Sequence, residues 1–144
     1  MTKDHEAAFV WMTKSAKQGV PMAQFHLGYM YRHGIGTYKS RTEAEIWYAS
    51  TAISGNADMF MQIGLIFEFG LDGISHNEVE ARRWYKLGAD MGHEGCIVSL
   101  NMVKANLAGG RKDSLQERMM RLNQTESSME RNLRDSALVR ANQY

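Results

Sequence analysis

The 144-residue sequence predicts an all-α chain, a short right-handed α-α solenoid of about three helix-pair repeats followed by a C-terminal helical extension. Three observations carry that expectation. The spacing A-x2-W-x4-A-x2-G is written three times, as AFVWMTKSAKQG from Ala8 to Gly19, AEIWYASTAISG from Ala44 to Gly55 and ARRWYKLGADMG from Ala81 to Gly92, and every tryptophan of the chain sits in the same slot. From Trp11 to Trp47 is 36 residues and from Trp47 to Trp84 is 37, a period that holds two helices per unit. The single proline is Pro21, and no run of β-branched residues alternates with polar ones over the length of a strand.

The opening helix of each repeat is amphipathic. At 3.6 residues per turn Ala8, Trp11, Met12, Ser15 and Ala16 share a face, as do Ala44, Trp47, Tyr48, Thr51 and Ala52, and again Ala81, Trp84, Tyr85, Gly88 and Ala89. That face is expected to be buried: the alanines let a second backbone approach while the tryptophan fills the space beside it. Each of these helices is expected to stop at a glycine, Gly19, Gly55 or Gly92, in the left-handed conformation that ends helices.

A second helix follows at once. Pro21 suits its first turn, where a missing amide hydrogen costs nothing, and Ala23, Leu27, Met30 and Tyr31 form its inward stripe. Met59, Ile63, Ile66 and Phe67 take those places in the second repeat. The glycine-rich turns Gly34 to Gly36 and Gly70 to Gly73 come next. Ser40 with Glu43, and Ser75 with Glu78, have the spacing of capping boxes that start the following helices.

With the pattern laid out, the chain resembles the Sel-like repeat family, relatives of the tetratricopeptide repeats. The first repeat carries Ala8, Trp11, Ala16, Gly19, Ala23, Leu27, Gly28, Tyr31, Gly34 and Gly36, with Met12 in place of the family's tyrosine. The second keeps Ala44, Trp47, Tyr48, Ala52, Gly55, Gly64 and Gly70 and substitutes Met59, Ile63 and Phe67. The third keeps Ala81, Trp84, Tyr85, Ala89, Gly92 and Leu100, but has Cys96 at a small position, Asn101 where the helix glycine belongs and Lys104 where the tyrosine belongs. The third second-helix therefore reads as a terminal one, adapted to meet something other than a fourth copy. The expected organisation is a repeat region over residues 1–110, with repeats at about 4–39, 40–76 and 77–108, and a C-terminal helical cap or tail over 111–144. The resemblance implies an adaptor without chemistry of its own.

In the tail Leu115, Met119, Leu122, Met129 and Leu133 recur at helical spacing, and Ser114 with Glu117 and Ser127 with Glu130 are further capping-box spacings. Either its first part caps the third repeat or its apolar stripe pairs with a second copy or a partner helix. Arginine in most of its basic positions suits an interface.

Composition excludes several function classes. A net charge of +1 offers no excess for nucleic acid or an anionic membrane, and no segment is long and apolar enough to span one, since MFMQIGLIFEFG is broken by Gln62 and Glu68. The lone Cys96 and the lack of a leader pattern point to a cytoplasmic protein. His5, His26, His33, His76 and His93 are scattered without ligand spacing, so neither metal nor cofactor is expected. Cys96 lies at a small inward position, and Asp72, His76 and Glu78 fit a loop and a cap, so no catalytic set is identified.

What remains is a surface. If the first helices line the concave side, their outward positions are Val10, Thr13, Lys14 and Lys17, then Ile46, Ala49, Ser50 and Ile53, then Arg83, Lys86, Leu87 and Asp90. Aliphatic residues among cations suit a protein or peptide better than a nucleic acid. The expected function is a small adaptor or antagonist that binds a protein there, with self-assembly through the C-terminal helix as the alternative.

Overall fold

The computed structural model describes residues 2–107, 109, 112 and 114–124. Among them are seven helices and no strand: α1 Lys3–Lys17, α2 Pro21–His33, α3 Arg41–Ser54, α4 Ala57–Phe69, α5 Glu78–Asp90, α6 Glu94–Leu107, and α7 at 115–124. Helix pair follows helix pair, the architecture of a short α-α solenoid. The chain divides into two compact units, Met1–Met59 and Phe60–Tyr144.

In the first unit Pro21 opens α2 as its fixed backbone angle favours, and Ala16, Ala23 and Leu27 form a core against which Phe9, Met12, Tyr31 and Trp47 pack. Gly28 has no side chain because there is no room for one: a Cβ there would come within 2.8 Å of the Tyr48 ring. Phe25, which the repeat spacing passes over, is fully buried and stacks at 6.0 Å on Tyr48. Gln24 is buried too, and its polar ends are met: Nε2 donates to the Ala16 carbonyl at 3.3 Å, and Oε1 accepts from Ser54 Oγ at 2.7 Å.

The second unit repeats the arrangement more tightly. Gly64 of α4 faces the Tyr85 ring of α5 in contact closer than any Cβ tolerates. Trp84 is 1% exposed and lies 6.1 Å from Phe60, and Cys96 is buried. α7 joins this unit through Arg118, whose side chain has no solvent exposure and grips Glu68 with both ends of its fork, Nη1 to Oε1 at 2.7 Å and Nη2 to Oε2 at 2.8 Å. Leu122 is also buried.

Three expectations are corrected. Trp11 is 68% exposed, with the Lys14 ammonium 5.3 Å over its ring. Trp47 has the α1–α2 core against it and Trp84 has Phe60 of the helix before it. Gly55 is extended, at φ −81 and ψ 176, so α3 ends without the left-handed residue that Gly19 and Gly92 supply at φ 88 and φ 82. The cap of α5 is Asn77, whose Oδ1 accepts from the Glu80 amide at 3.1 Å, not Ser75, because the turn runs two residues further before the helix starts. In the tail, Leu115 is half-buried, Leu122 buried and Met119 41% exposed, and Met129 and Leu133 lie outside the described residues, as does the Ser127–Glu130 spacing.

Candidate protein-binding surface

The other caps form as spaced. Ser40 Oγ accepts from the Glu43 amide at 3.2 Å and Ser114 Oγ from the Glu117 amide at 3.2 Å. These caps fix where α3 and α7 begin and therefore which side chains they turn outward.

In the first unit α1 exposes Val10, 50% accessible, together with Lys14 and Lys17, and α3 exposes Ile46 at 52% and Ile53 at 87%. Ala49 is exposed as well. Thr13 and Ser50 lie on the same helices half-buried, but their hydroxyls are spent on the helix itself: Thr13 Oγ1 donates to the Phe9 carbonyl at 2.7 Å and Ser50 Oγ to the Ile46 carbonyl at 3.0 Å. These side chains offer a partner aliphatic surface and ammonium groups. An isoleucine as bare as Ile53 gains on the order of 2 kcal/mol when covered. Sequence spacing placed these side chains outward; it missed Trp11, which adds a large ring to the α1 side.

In the second unit Arg83, Lys86 and Asp90 are exposed and Leu87 is half-buried. Arg83 and Lys86 also form one wall of a groove of about 410 Å3 between α5 and α6. Val79, Arg82 and Glu80 complete the α5 wall, and Leu100 and Lys104 stand on α6. The sequence pattern singled out Lys104 as a departure from the repeat without assigning it a role; the groove is where that departure lies.

The one buried polar cluster of note is structural. Tyr85 Oη donates to Glu68 Oε1 at 2.9 Å, beside the Arg118 fork, and the guanidinium carbon stands 5.5 Å from the centre of the Phe69 ring. Burial first, and the Glu68 carboxylate second, push the Tyr85 hydroxyl far above its ordinary range, so it remains a donor. Glu68 in the apolar C-terminal half of α4 is the signal that a buried cation comes to meet it, whereas in the sequence it serves only to break a membrane span.

His93 is likewise occupied, its Nδ1 accepting from the Cys96 amide at 3.2 Å, where it caps α6. His76 Nε2 stands 3.5 Å from Glu78 Oε1, which Lys112 Nζ approaches to 3.2 Å. Among the described residues no three His, Cys, Asp or Glu side chains are grouped to hold a metal ion, and no helix is long and apolar enough to cross a membrane.

Comparison with known proteins gives one family. The model described as "Sel1 repeat" matches residues 1–20, 21–56 and 61–93, more than half of the chain. The chitin synthase regulator SKT5 of Saccharomyces cerevisiae is 45% identical over 56 residues, which are 39% of this chain and 8% of that protein. A Sel1 repeat protein from Oxalobacter formigenes, solved by crystallography, is 32% identical over 77% of this chain and 45% of its own, with a TM-score of 0.46. A protective antigen of uropathogenic Escherichia coli with an SLR fold is 26% identical, covering 81% of this chain and 25% of its own, with a TM-score of 0.43. The chain thus spans less than half the length of each of these relatives.

Proposed function

This chain belongs to the Sel1 repeat family, whose repeats generally mediate protein–protein interaction, and on that premise we propose that it is a small cytoplasmic adaptor or antagonist that acts by holding a protein partner. The partner lies on the outward faces of the first helices: Val10, Thr13, Lys14, Lys17, Ile46, Ser50 and Ile53 in the first unit, and Arg83, Lys86, Leu87 and Asp90 in the second. The observation that carries this reading is the exposure of Ile46 and Ile53 on α3, a helix whose other face is already filled by Ala44, Tyr48 and Thr51. The SKT5 relative is described as a regulator of an enzyme, in keeping with action through another protein.

The protein is proposed to be non-catalytic, to need no cofactor, and to bind neither nucleic acid nor membrane. Tagged protein recovered from its native cytoplasm should bring down a stoichiometric partner, and Ile46→Glu with Ile53→Glu should release it while the helical circular dichroism stays unchanged. Retention of the partner by that variant would remove the α3 face from the interface.

A second reading is self-association through α7, favoured by Met119 and Met120, 41% and 60% exposed on that helix. Light scattering at micromolar protein distinguishes it. A multimer that becomes monomeric with Met119→Glu and Met120→Glu supports this reading, and a wild-type monomer rejects it.

A further inference from the structure

The groove between α5 and α6 has a counterpart in the first repeat that is closed. In the first repeat the residues two before the tryptophan and twenty after it face each other across α1 and α2. These are Phe9 and Tyr31, whose rings meet edge to face at 5.4 Å and complete the core of that unit. In the third repeat the same positions are Arg82 and Lys104. Two cations cannot close on each other as the rings do, and the space stays open as the groove of about 410 Å3.

Its chemistry is specific. Arg82, Arg83, Lys86 and Lys104 set four cations around it, and Val79, 59% exposed, and Leu100 give it an aliphatic lining. Glu80 stands on the same wall with its Oε2 buried. An occupant must therefore bring several negative charges and an apolar side chain. A polypeptide rich in glutamate or aspartate that carries an aliphatic residue brings both. A phosphodiester backbone brings charge but no aliphatic group for Val79 and Leu100.

We propose that this groove receives an acidic peptide segment of the partner, with carboxylates on the Arg82, Arg83, Lys86 and Lys104 side chains and an aliphatic residue on Val79 and Leu100. The inference rests on the protein-binding reading above and names the charge and shape of the segment bound at the third repeat.

The test uses the full chain and fluorescence anisotropy at low ionic strength, with a fluorescein-labelled peptide in which glutamates flank a central leucine. Saturable binding is expected, at least about tenfold weaker for the peptide with glutamine in place of glutamate and for Arg82→Glu with Lys104→Glu. Arg82→Phe with Lys104→Tyr, which restores the aromatic pair of the first repeat, should also abolish binding by filling the groove. Both substituted positions are outside the α3 patch, and helical circular dichroism checks that each variant is folded.

No saturable binding of the acidic peptide, undiminished binding by either folded variant, or tighter binding of a single-stranded oligonucleotide than of the peptide would overturn the proposal. A native partner lost on substitution of Ile46 and Ile53 but kept by Arg82→Glu with Lys104→Glu would overturn the acidic-groove assignment and leave the protein-binding reading standing.

Discussion

Trp11 and Trp84 occupy the same slot of the same motif, yet one is 68% exposed and the other 1%. The helix around each is built alike, with an alanine three residues before the ring and another five after. What differs is the neighbour. Trp84 has Phe60 of the preceding helix 6.1 Å away, and Trp47, half-buried, has the α1–α2 core. Burial of the tryptophan in this repeat thus follows from what packs against it and not from the motif of its own helix.

Substitution of both rings breaks the comparison most directly. Trp84→Ala should cost about 3 to 5 kcal/mol, because it removes a buried ring from a region that can only partly collapse around the void. Trp11→Ala should change stability by no more than about 0.5 kcal/mol, since an exposed ring with one cation over it loses little. Urea unfolding followed by circular dichroism reads both. A loss of similar size for the two would mean that Trp11 is covered in solution by something outside the described residues.

The second unit has a further device that the first lacks, the Arg118 fork on Glu68. Arg118→Ala should destabilise it by about 3 to 5 kcal/mol, most of which is the penalty of leaving a carboxylate buried without its cation. Arg118→Ala combined with Glu68→Leu should recover much of that loss, which urea unfolding of the single and double variants would show. If the single variant is as stable as wild type, α7 does not depend on this pair.

These two cases mark how far the sequence could be read. Helices, their order, the glycine-rich turns and most outward positions of α1, α3 and α5 followed from a period of 3.6 residues and a repeat of 36 or 37, because local geometry dictates them, although Thr13, Ser50 and Leu87 are half-buried. Cap choice between Ser75 and Asn77 did not, since both residues suit the role and the length of the turn decides. Nor did the partnership of Glu68 with Arg118, which lies 50 residues away and belongs to no repeat. The groove at Arg82 and Lys104 stood between these limits: Lys104 was visible as a departure from the pattern, but only the packed pair of Phe9 and Tyr31 shows what the departure opens.

Gly64 and Gly28 sharpen the comparison at smaller scale. Each lies against the tyrosine of the next helix, but a Cβ on Gly64 would intrude further, and the Tyr85 ring it meets is tethered through its hydroxyl to Glu68. Gly64→Ala should therefore cost about 1 to 3 kcal/mol in spite of the roughly 1 kcal/mol that alanine gains over glycine in a helix. Gly28→Ala should cost less, with 2.8 Å rather than a deeper overlap to relieve. Unfolding midpoints ranked wild type, Gly28→Ala, Gly64→Ala in falling order agree with this; the reverse ranking would show that Tyr85 is free to move.

The tether itself gives the smallest effect and a distinctive one. At neutral pH Tyr85→Phe removes one donor from a carboxylate that keeps its arginine, a loss of about 1 kcal/mol. Its signature lies in alkali. Burial and the adjacent carboxylate raise the pKa of Tyr85 in the folded chain, whereas in the unfolded chain it ionises near its ordinary value of about 10. Below that value both states bind the proton and stability is unaffected; above it the unfolded state sheds a proton that the folded state keeps, so unfolding becomes more favourable as pH rises. Phenylalanine has no proton to shed, and the Tyr85→Phe variant should lose less stability between about pH 9 and 11 than wild type does, narrowing or inverting its deficit at neutral pH. Parallel alkaline declines for the two proteins would mean that the Tyr85 hydroxyl titrates in the folded state as it does in water, and that the second unit is looser around Glu68 than its geometry requires.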